Sequence, residues 1–251
     1  MRLTKHEGWG NDFLVLSDPQ NATPGTPELA RRLCDRRYGV GADGLLHLSK
    51  QNVRADLTMT LHNADGSPAE MSGNGLRCLV QAAVLGGWVG GGRRITVSTA
   101  AGYRTADVTK TDDPRVHFIR VDMGAVQIVG IDEDDMLLDV GNPHRVRRVP
   151  EPDTYDLAAA GAAHPDVNLE VIADAGRDAV KMRVHERGAG ETLACGTGAC
   201  AVAVAASKWG LVTGTSVTVR QPGGDAEVDI TDIDHVQLAG PVTYIAAIET
   251  P

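Results

Sequence analysis

The sequence predicts an α/β protein made of two related halves. Each half is expected to be a mixed β-sheet wrapped around one central, buried helix, with an active site in the cleft between the halves. Three observations predict this. The first is an internal repeat: residues 57–89 lie over 180–212 without a gap, so that Met59 meets Met182, His62 meets His185, Gly73 meets Gly196, Gly75 meets Gly198, Gly87 meets Gly210 and Val89 meets Val212. The second is a shared local grammar. In "AEMSGNGLRCLVQAA" (69–83) and "TLACGTGACAVAVAA" (192–206) a serine or a cysteine precedes glycines and then an almost wholly apolar helix. A helix without a polar face is a buried helix. The third is a series of short β-type runs, each closed by Gly, Pro, Asp or Asn, between and around the helical segments.

Taken in order, strands are expected over 2–8, 12–18, 45–50, 56–63, 95–100 and 116–123 in the first half. In the second half they are expected over 136–141, 167–173, 179–186, 216–221, 226–231 and 235–240. A helix over 26–39 has Thr26 as N-cap, Pro27 in its first turn and Gly39 past its end. A weaker helical pattern covers 153–163. "GNDF" at 10–13 is echoed by "GNPH" at 141–144, one copy near the start of each half. These marks put the domains at 1–114 and 115–240, with a last strand in 241–251 returning to the first.

Composition narrows the function. The chain has a formal net charge of −9, 42% apolar residues and only 4% aromatics. An acidic chain without a basic stretch is a poor partner for nucleic acid or an anionic membrane. The N-terminus lacks the apolar core of a signal peptide, and no apolar run approaches the roughly 20 residues of a membrane helix. The four cysteines, Cys34, Cys78, Cys195 and Cys200, contain no C-x-x-C pair. A zinc or redox pair is therefore not expected, nor a disulfide scaffold. The expectation is a cytoplasmic protein with free thiols and no metal.

The chemistry is expected at the two helix entrances. A helix N-terminus offers unpaired N–H groups and a partial positive charge, which together bind carboxylates. Glycines let the ligand approach the backbone. A cysteine at such a place is expected to have a lowered pKa. Two entrances over one cleft would cradle a carboxylate and put an acid–base group on each face of the neighbouring carbon, which suits inversion of a stereocentre. Histidines 62, 144 and 185 read as structural, and Cys34, Cys78 and Cys200 as helix-core residues.

"GNDFLVL", "HNADGSPAEMSGNGLRC", "GNPH", "DVN" and "HERGAGETLACGTGACA" together resemble the diaminopimelate epimerase family, over essentially the whole chain and in family order. The resemblance implies a cofactor-independent isomerase that interconverts LL- and meso-diaminopimelate on the route to lysine and peptidoglycan. Its implied partner is that small amino acid, and a homodimer is the implied assembly. Residue by residue, Cys195 resembles one catalytic thiol, and Ser72 stands where the family has the other. Gly73–Asn74 and Gly196–Thr197 resemble the carboxylate cradle. Asn11, Asn63, Asn142, Asn168, Glu186 and Arg187 resemble the residues that hold the substrate's distal end. Ser72 is the departure, because a hydroxyl is a poor base without an activating neighbour. Three readings of it stay open: a natural variant with one-sided proton transfer, an introduced Cys-to-Ser replacement, or a relative with another substrate, such as a racemase or dehydratase. A silent binding protein that keeps the cleft is the alternative from another class.

Overall fold

The computed structural model describes residues 1–250 apart from 21, 24, 70 and 91. The chain divides into two compact units, residues 1–121 with 241–251, and residues 122–240.

In unit 1, β1 (Arg2–Gly8) and β2 (Asn11–Ser17) form a hairpin. Its two-residue turn puts Trp9 at φ 57° and Gly10 at φ 82°. Positive φ at both positions matches the twist of the flanking strands. Helix α1 (Pro27–Cys34) crosses to β3 (Gly44–Ser49), which runs parallel to β2 and antiparallel to β4 (Leu57–Asn63). Helix α2 (Gly73–Leu85) crosses to β5 (Ile95–Thr99), parallel to β4. β6 (Gly102–Lys110) and β7 (Val116–Gly124) follow as an antiparallel meander. On the other side, β1 pairs with the last strand of the chain from Thr243 to Glu249. Helix α2 packs against β1, β2, β3, β4 and β6. One helix can touch so many strands of one sheet only if the sheet curls around it, and every residue from Gly73 to Ala83 is buried.

Unit 2 repeats the plan. β8 (Gln127–Ile131), β9 (Asp135–Asp139) and β10 (Pro143–Arg148) run antiparallel. Helix α3 (Leu157–Ala162) crosses to β11 (Asn168–Asp174), parallel to β10 and antiparallel to β12 (Ala179–Glu186). The short β13 (Gly190–Thr192) pairs with β12. Helix α4 (Gly196–Lys208) crosses to β14 (Ser216–Gln221), parallel to β12. β15 (Gly224–Asp229) and the first half of β16 (Val236–Glu249) complete the sheet. Helix α4 packs against β9, β10, β11, β12, β14 and β15, and is buried from Gly196 to Ala206. Gly87 and Gly210, identical in the repeat, both take positive φ just past their helices, at 71° and 70°. Only glycine enters that region freely.

The first helix is shorter than expected. It stops at Cys34, and Gly39 lies well beyond it. Asp35 Oδ1 accepts from the N–H groups of Arg37 and Tyr38, both at 2.7 Å. This local turn competes with the helix and ends it. In the weaker pattern, Asp156 accepts from Ala159 N at 3.1 Å as an N-cap, so α3 starts at Leu157 and residues 152–154 form a separate 3-10 turn. Strands β6, β8, β10 and β13 were not expected. Three of them are short or rich in polar residues. β10 begins inside the "GNPH" motif, at Pro143, and that motif reads as a turn. Among the described residues, no helix is long and apolar enough to cross a membrane.

Candidate active site

The mouth of α2 is built around Ser72. Its backbone is extended, with φ −142° and ψ 118°, and its Oγ accepts from Gly75 N at 3.0 Å. A Cβ at position 75 would lie 3.3 Å from that oxygen and 3.4 Å from Leu46, so glycine lets the cap close. Below the mouth, the wholly buried Arg77 stacks 3.7 Å over the Trp9 ring and donates to Pro241 O at 3.0 Å. Arg77 Nη2 also donates to Asn74 Oδ1 at 2.7 Å. That fixes the Asn74 amide, whose Nδ2 donates to Asn11 Oδ1 at 3.2 Å. Asn11 Nδ2 in turn donates to Asp43 at 2.8 Å. A buried cation therefore sets the direction of two amides. Asn63 lies apart from this chain. It is exposed, at the end of β4, and donates to Ser67 Oγ in its own turn at 3.0 Å.

The mouth of α4 has the same cap geometry, with Cys195 at φ −130° and ψ 117° and Gly198 N donating to its Sγ at 3.4 Å. Cys195 N donates to Gln221 Oε1 at 2.8 Å, which holds the thiol-bearing residue in place. The surroundings differ from those of Ser72. Thr197 Oγ1 lies 3.4 Å from the sulfur and accepts from Asn142 Nδ2 at 3.4 Å. Asn142 Oδ1 is 3.0 Å from His144 Nε2, and His144 Nδ1 is 2.6 Å from Glu170 Oε1. Asn168 Oδ1 accepts from the backbone N of Arg187 at 2.9 Å, and its Nδ2 donates to Pro143 O at 3.3 Å. Glu186 accepts from the Thr192 hydroxyl. The side chain of Arg187 is exposed.

Within unit 2 the structure thus ties Cys195, Thr197 and Asn142 into one hydrogen-bonded group. Asn168 and the Arg187 backbone form a second group. In unit 1 it joins Asn11 to Asn74. Each mouth also offers early N–H groups, Gly73 and Asn74 in one and Gly196 and Thr197 in the other. Such groups have no acceptor inside their helix and are the anion-binding part of any helix entrance.

The expected lowering of the Cys195 pKa is overturned. Burial pushes the thiol well above its ordinary value, and the charges of Glu186 and Glu170 push the same way. The Thr197 and Gly198 hydrogen bonds oppose them without winning. The helix end is one favourable contribution among stronger unfavourable ones. Glu170, wholly buried, is likewise raised by burial, against the pull of His144. His144, which reads as structural, is buried between Asn142 and Glu170. Two residues under the mouths, Glu170 and Arg77, are not singled out by the sequence reading. Their signal was a charge inside an otherwise apolar strand or helix, "VNLEVIA" and "GLRCLV".

The profile of the diaminopimelate epimerase family matches residues 3–129 and 136–245. The diaminopimelate epimerase of Desulfitobacterium hafniense is 37% identical over 276 residues, covering 98% of this chain and 96% of the relative. That of Streptomyces coelicolor is 38% identical over 268 residues, covering 96% and 92%. Among solved structures, one described as a predicted epimerase from Pseudomonas aeruginosa superposes with a TM-score of 0.79 at 14% identity, covering 99% of this chain and 98% of that one. A probable proline racemase from Agrobacterium radiobacter gives 0.78 at 17% identity, covering 100% and 92%. At such identities these two report the fold alone. Fold and family together define a cofactor-independent amino-acid epimerase, an isomerase. Within that class, the chain belongs to the diaminopimelate epimerase family.

Proposed function

We propose that this protein interconverts LL- and meso-diaminopimelate by removing the α-proton on one face and returning a proton on the other. Cys195 is the acid–base group on one face. The mouth of α2, with Ser72 at its cap, serves the other. Gly73, Asn74, Gly196 and Thr197 hold the α-carboxylate. The distal amino-acid end falls to Asn11, Asn63, Asn142, Asn168, Glu186 and Arg187. The observation that carries this reading is the shared cap geometry of Ser72 and Cys195, each extended and each accepting from the N–H three residues on. The same device, built twice, suits a reaction that needs the same operation on two faces.

A hydroxyl is less acidic than a thiol, so proton transfer at the Ser72 face is slow and runs through the hydroxyl itself or a water held there. The protein is therefore expected to be a working but one-sided epimerase. A substrate panel tests the substrate. The reading expects turnover of diaminopimelate and none of lysine, ornithine or proline, which lack a distal carboxylate. Equal turnover of proline would move the protein to another member of the fold.

A further inference from the structure

Thr197, Asn142, His144 and Glu170 form an unbroken chain of hydrogen bonds from the Cys195 sulfur to a carboxyl group with no exposure. Each link has a direction, and the directions are coupled. With the Asn142 Nδ2 donating to Thr197, the Asn142 oxygen must accept from His144 Nε2–H. His144 Nδ1 then meets Glu170 with a proton shared between them, either on the carboxyl or as an imidazolium–carboxylate pair. Thr197 Oγ1, already accepting, is free to turn its own proton onto the sulfur. Gly198 N adds a second donor at 3.4 Å. Two donors on one sulfur are the surroundings of a thiolate.

The reverse direction is equally complete. If the Glu170–His144 contact gives up one proton, Glu170 is a carboxylate and His144 carries its proton on Nδ1. His144 Nε2 then accepts from the Asn142 amide, turned over. The Asn142 oxygen accepts from Thr197, and Thr197 accepts the S–H of Cys195. This direction admits only the thiol.

Charge favours the same exclusion. A Cβ on Gly198 would lie 2.6 Å from Glu170 Oε1 and 3.3 Å from Cys195 Cβ, so the carboxyl and the thiol flank the same glycine. Two buried negative charges that close repel strongly. Among the described groups that act on Cys195, Glu186 on β12 adds its charge in either direction.

We propose that Glu170 is a positioning residue that gates Cys195: the thiolate forms only while the Glu170–His144 pair holds its shared proton, and the Asn142 amide and Thr197 hydroxyl transmit that state to the sulfur. The protons balance through water. One leaves the sulfur, one stays on or is taken up by the pair, and the buried Cys195–Glu170 cluster carries a single negative charge. The use of this gate in turnover rests on the proposed role of Cys195. The gate itself does not, and its test needs no substrate.

The test is the pH midpoint of Cys195 alkylation by iodoacetamide, followed at that one cysteine by mass mapping. Glu170→Gln keeps the shape, removes the carboxylate state and lets an amide N–H donate to His144 Nδ1. The midpoint is expected to fall by about one pH unit, roughly tenfold more thiolate below it. Water admitted by loosened packing would also lower the midpoint, but it would raise the plateau rate as well. The expected result is therefore a lowered midpoint at an unchanged plateau, and a plateau that rises with it counts against the proposal. An unchanged or raised midpoint overturns the proposal. Should the variant not fold, the unaltered protein still decides. Nitrogen-15 resonances of His144 must show a protonated Nε2 at every pH where Cys195 is thiolate, and an Nδ1–H tautomer there overturns it. Failure of either test leaves the epimerase reading standing, since substrate turnover tests that one separately.

Discussion

Glu170 Oε1 stands 2.6 Å from His144 Nδ1, with both side chains buried beneath the mouth of α4. The matching place under α2 is filled differently. Leu46 lies against Gly75 as Glu170 lies against Gly198, and Phe13 occupies the strand position that corresponds to His144. The duplication kept the fold, the caps and the glycines, but among the described residues the His144–Glu170 pair lies below the mouth of α4 and has no counterpart below that of α2.

The difference makes position 72 the more informative site for substitution. Ser72→Cys would place a thiol on the same cap, half-buried and above Leu46 in place of a carboxylate. The factors that raise Cys195 are thus weaker there. A positioned acid–base group contributes typically 10²–10⁴-fold, so a gain in epimerisation of at least about tenfold is expected. The comparison is kcat for the two folded proteins on the same stereoisomer. A variant that binds substrate yet turns over no faster would remove position 72 from the chemistry.

Arg77 should matter to stability as well as to the site. It stacks on Trp9, which the β1–β2 turn holds at positive φ, and it donates to Asn74 and to Pro241 O. Arg77→Met keeps apolar bulk but strips those acceptors of a buried donor, a loss on the order of 2–4 kcal/mol. Arg77→Lys should recover little, since an ammonium cannot bridge both acceptors and stack. Urea unfolding measures both, and a lysine variant as stable as the parent would contradict this account.

How much of this was legible beforehand depends on what each residue announces locally. The repeat, the two caps and their glycines were readable because capping and helix burial are short-range patterns. Thr26 and Pro27 marked the start of α1 for the same reason, whereas its end was set by an Asp35 side chain competing with the helix. Strand β10 was missed because "GNPH" has turn composition, although it pairs with β9 and β11. The raised Cys195 pKa was beyond reach from sequence. It depends first on how deeply the thiol is buried and then on Glu186 and Glu170, which come from two different strands and meet the thiol only once unit 2 is folded.

His6 makes unit 1 sensitive to acid. It is wholly buried, and burial lowers its pKa to about 4. Gln81 donates to Val242 O and Arg115 O, so its oxygen accepts from His6 Nδ1–H at 2.7 Å, while Nε2 meets the Thr4 hydroxyl at 2.9 Å. Both ring nitrogens keep partners in either state, since the Thr4 hydroxyl can also accept; it is burial of the charge that disfavours the protonated ring. As pH falls from about 6.5 towards 4, the unfolded chain takes up this proton and the folded chain does not, so stability is lost across that window and not further below it. At 1.36 kcal/mol per pKa unit the loss is about 3 kcal/mol. His117, also lowered by burial, adds in the same direction. Denaturation midpoints between pH 7 and 4 should fall in the parent and flatten in His6→Asn. Parallel slopes in the two proteins would exclude His6 as the cause.

Arg187 presents an exposed guanidinium while Asn168 fixes its backbone. If it clamps the distal carboxylate of the substrate, Arg187→Ala raises KM far more than it lowers kcat. Desolvated charge pairs of this type cost 2–5 kcal/mol when one member is removed, which sets an upper range for the loss of binding. An unchanged KM would leave Arg187 as surface charge.

The central claim is that Cys195 exchanges the α-proton of diaminopimelate without a cofactor. It is tested most directly by incubating the purified protein with LL- or meso-diaminopimelate in deuterium oxide and following α-deuterium and isomer ratio together. Deuterium should enter the product isomer. Cys195→Ala should lower that rate by at least about a hundredfold, while Ser72→Cys raises it. Exchange that persists undiminished in Cys195→Ala, or isomer formed without solvent deuterium, would contradict the account.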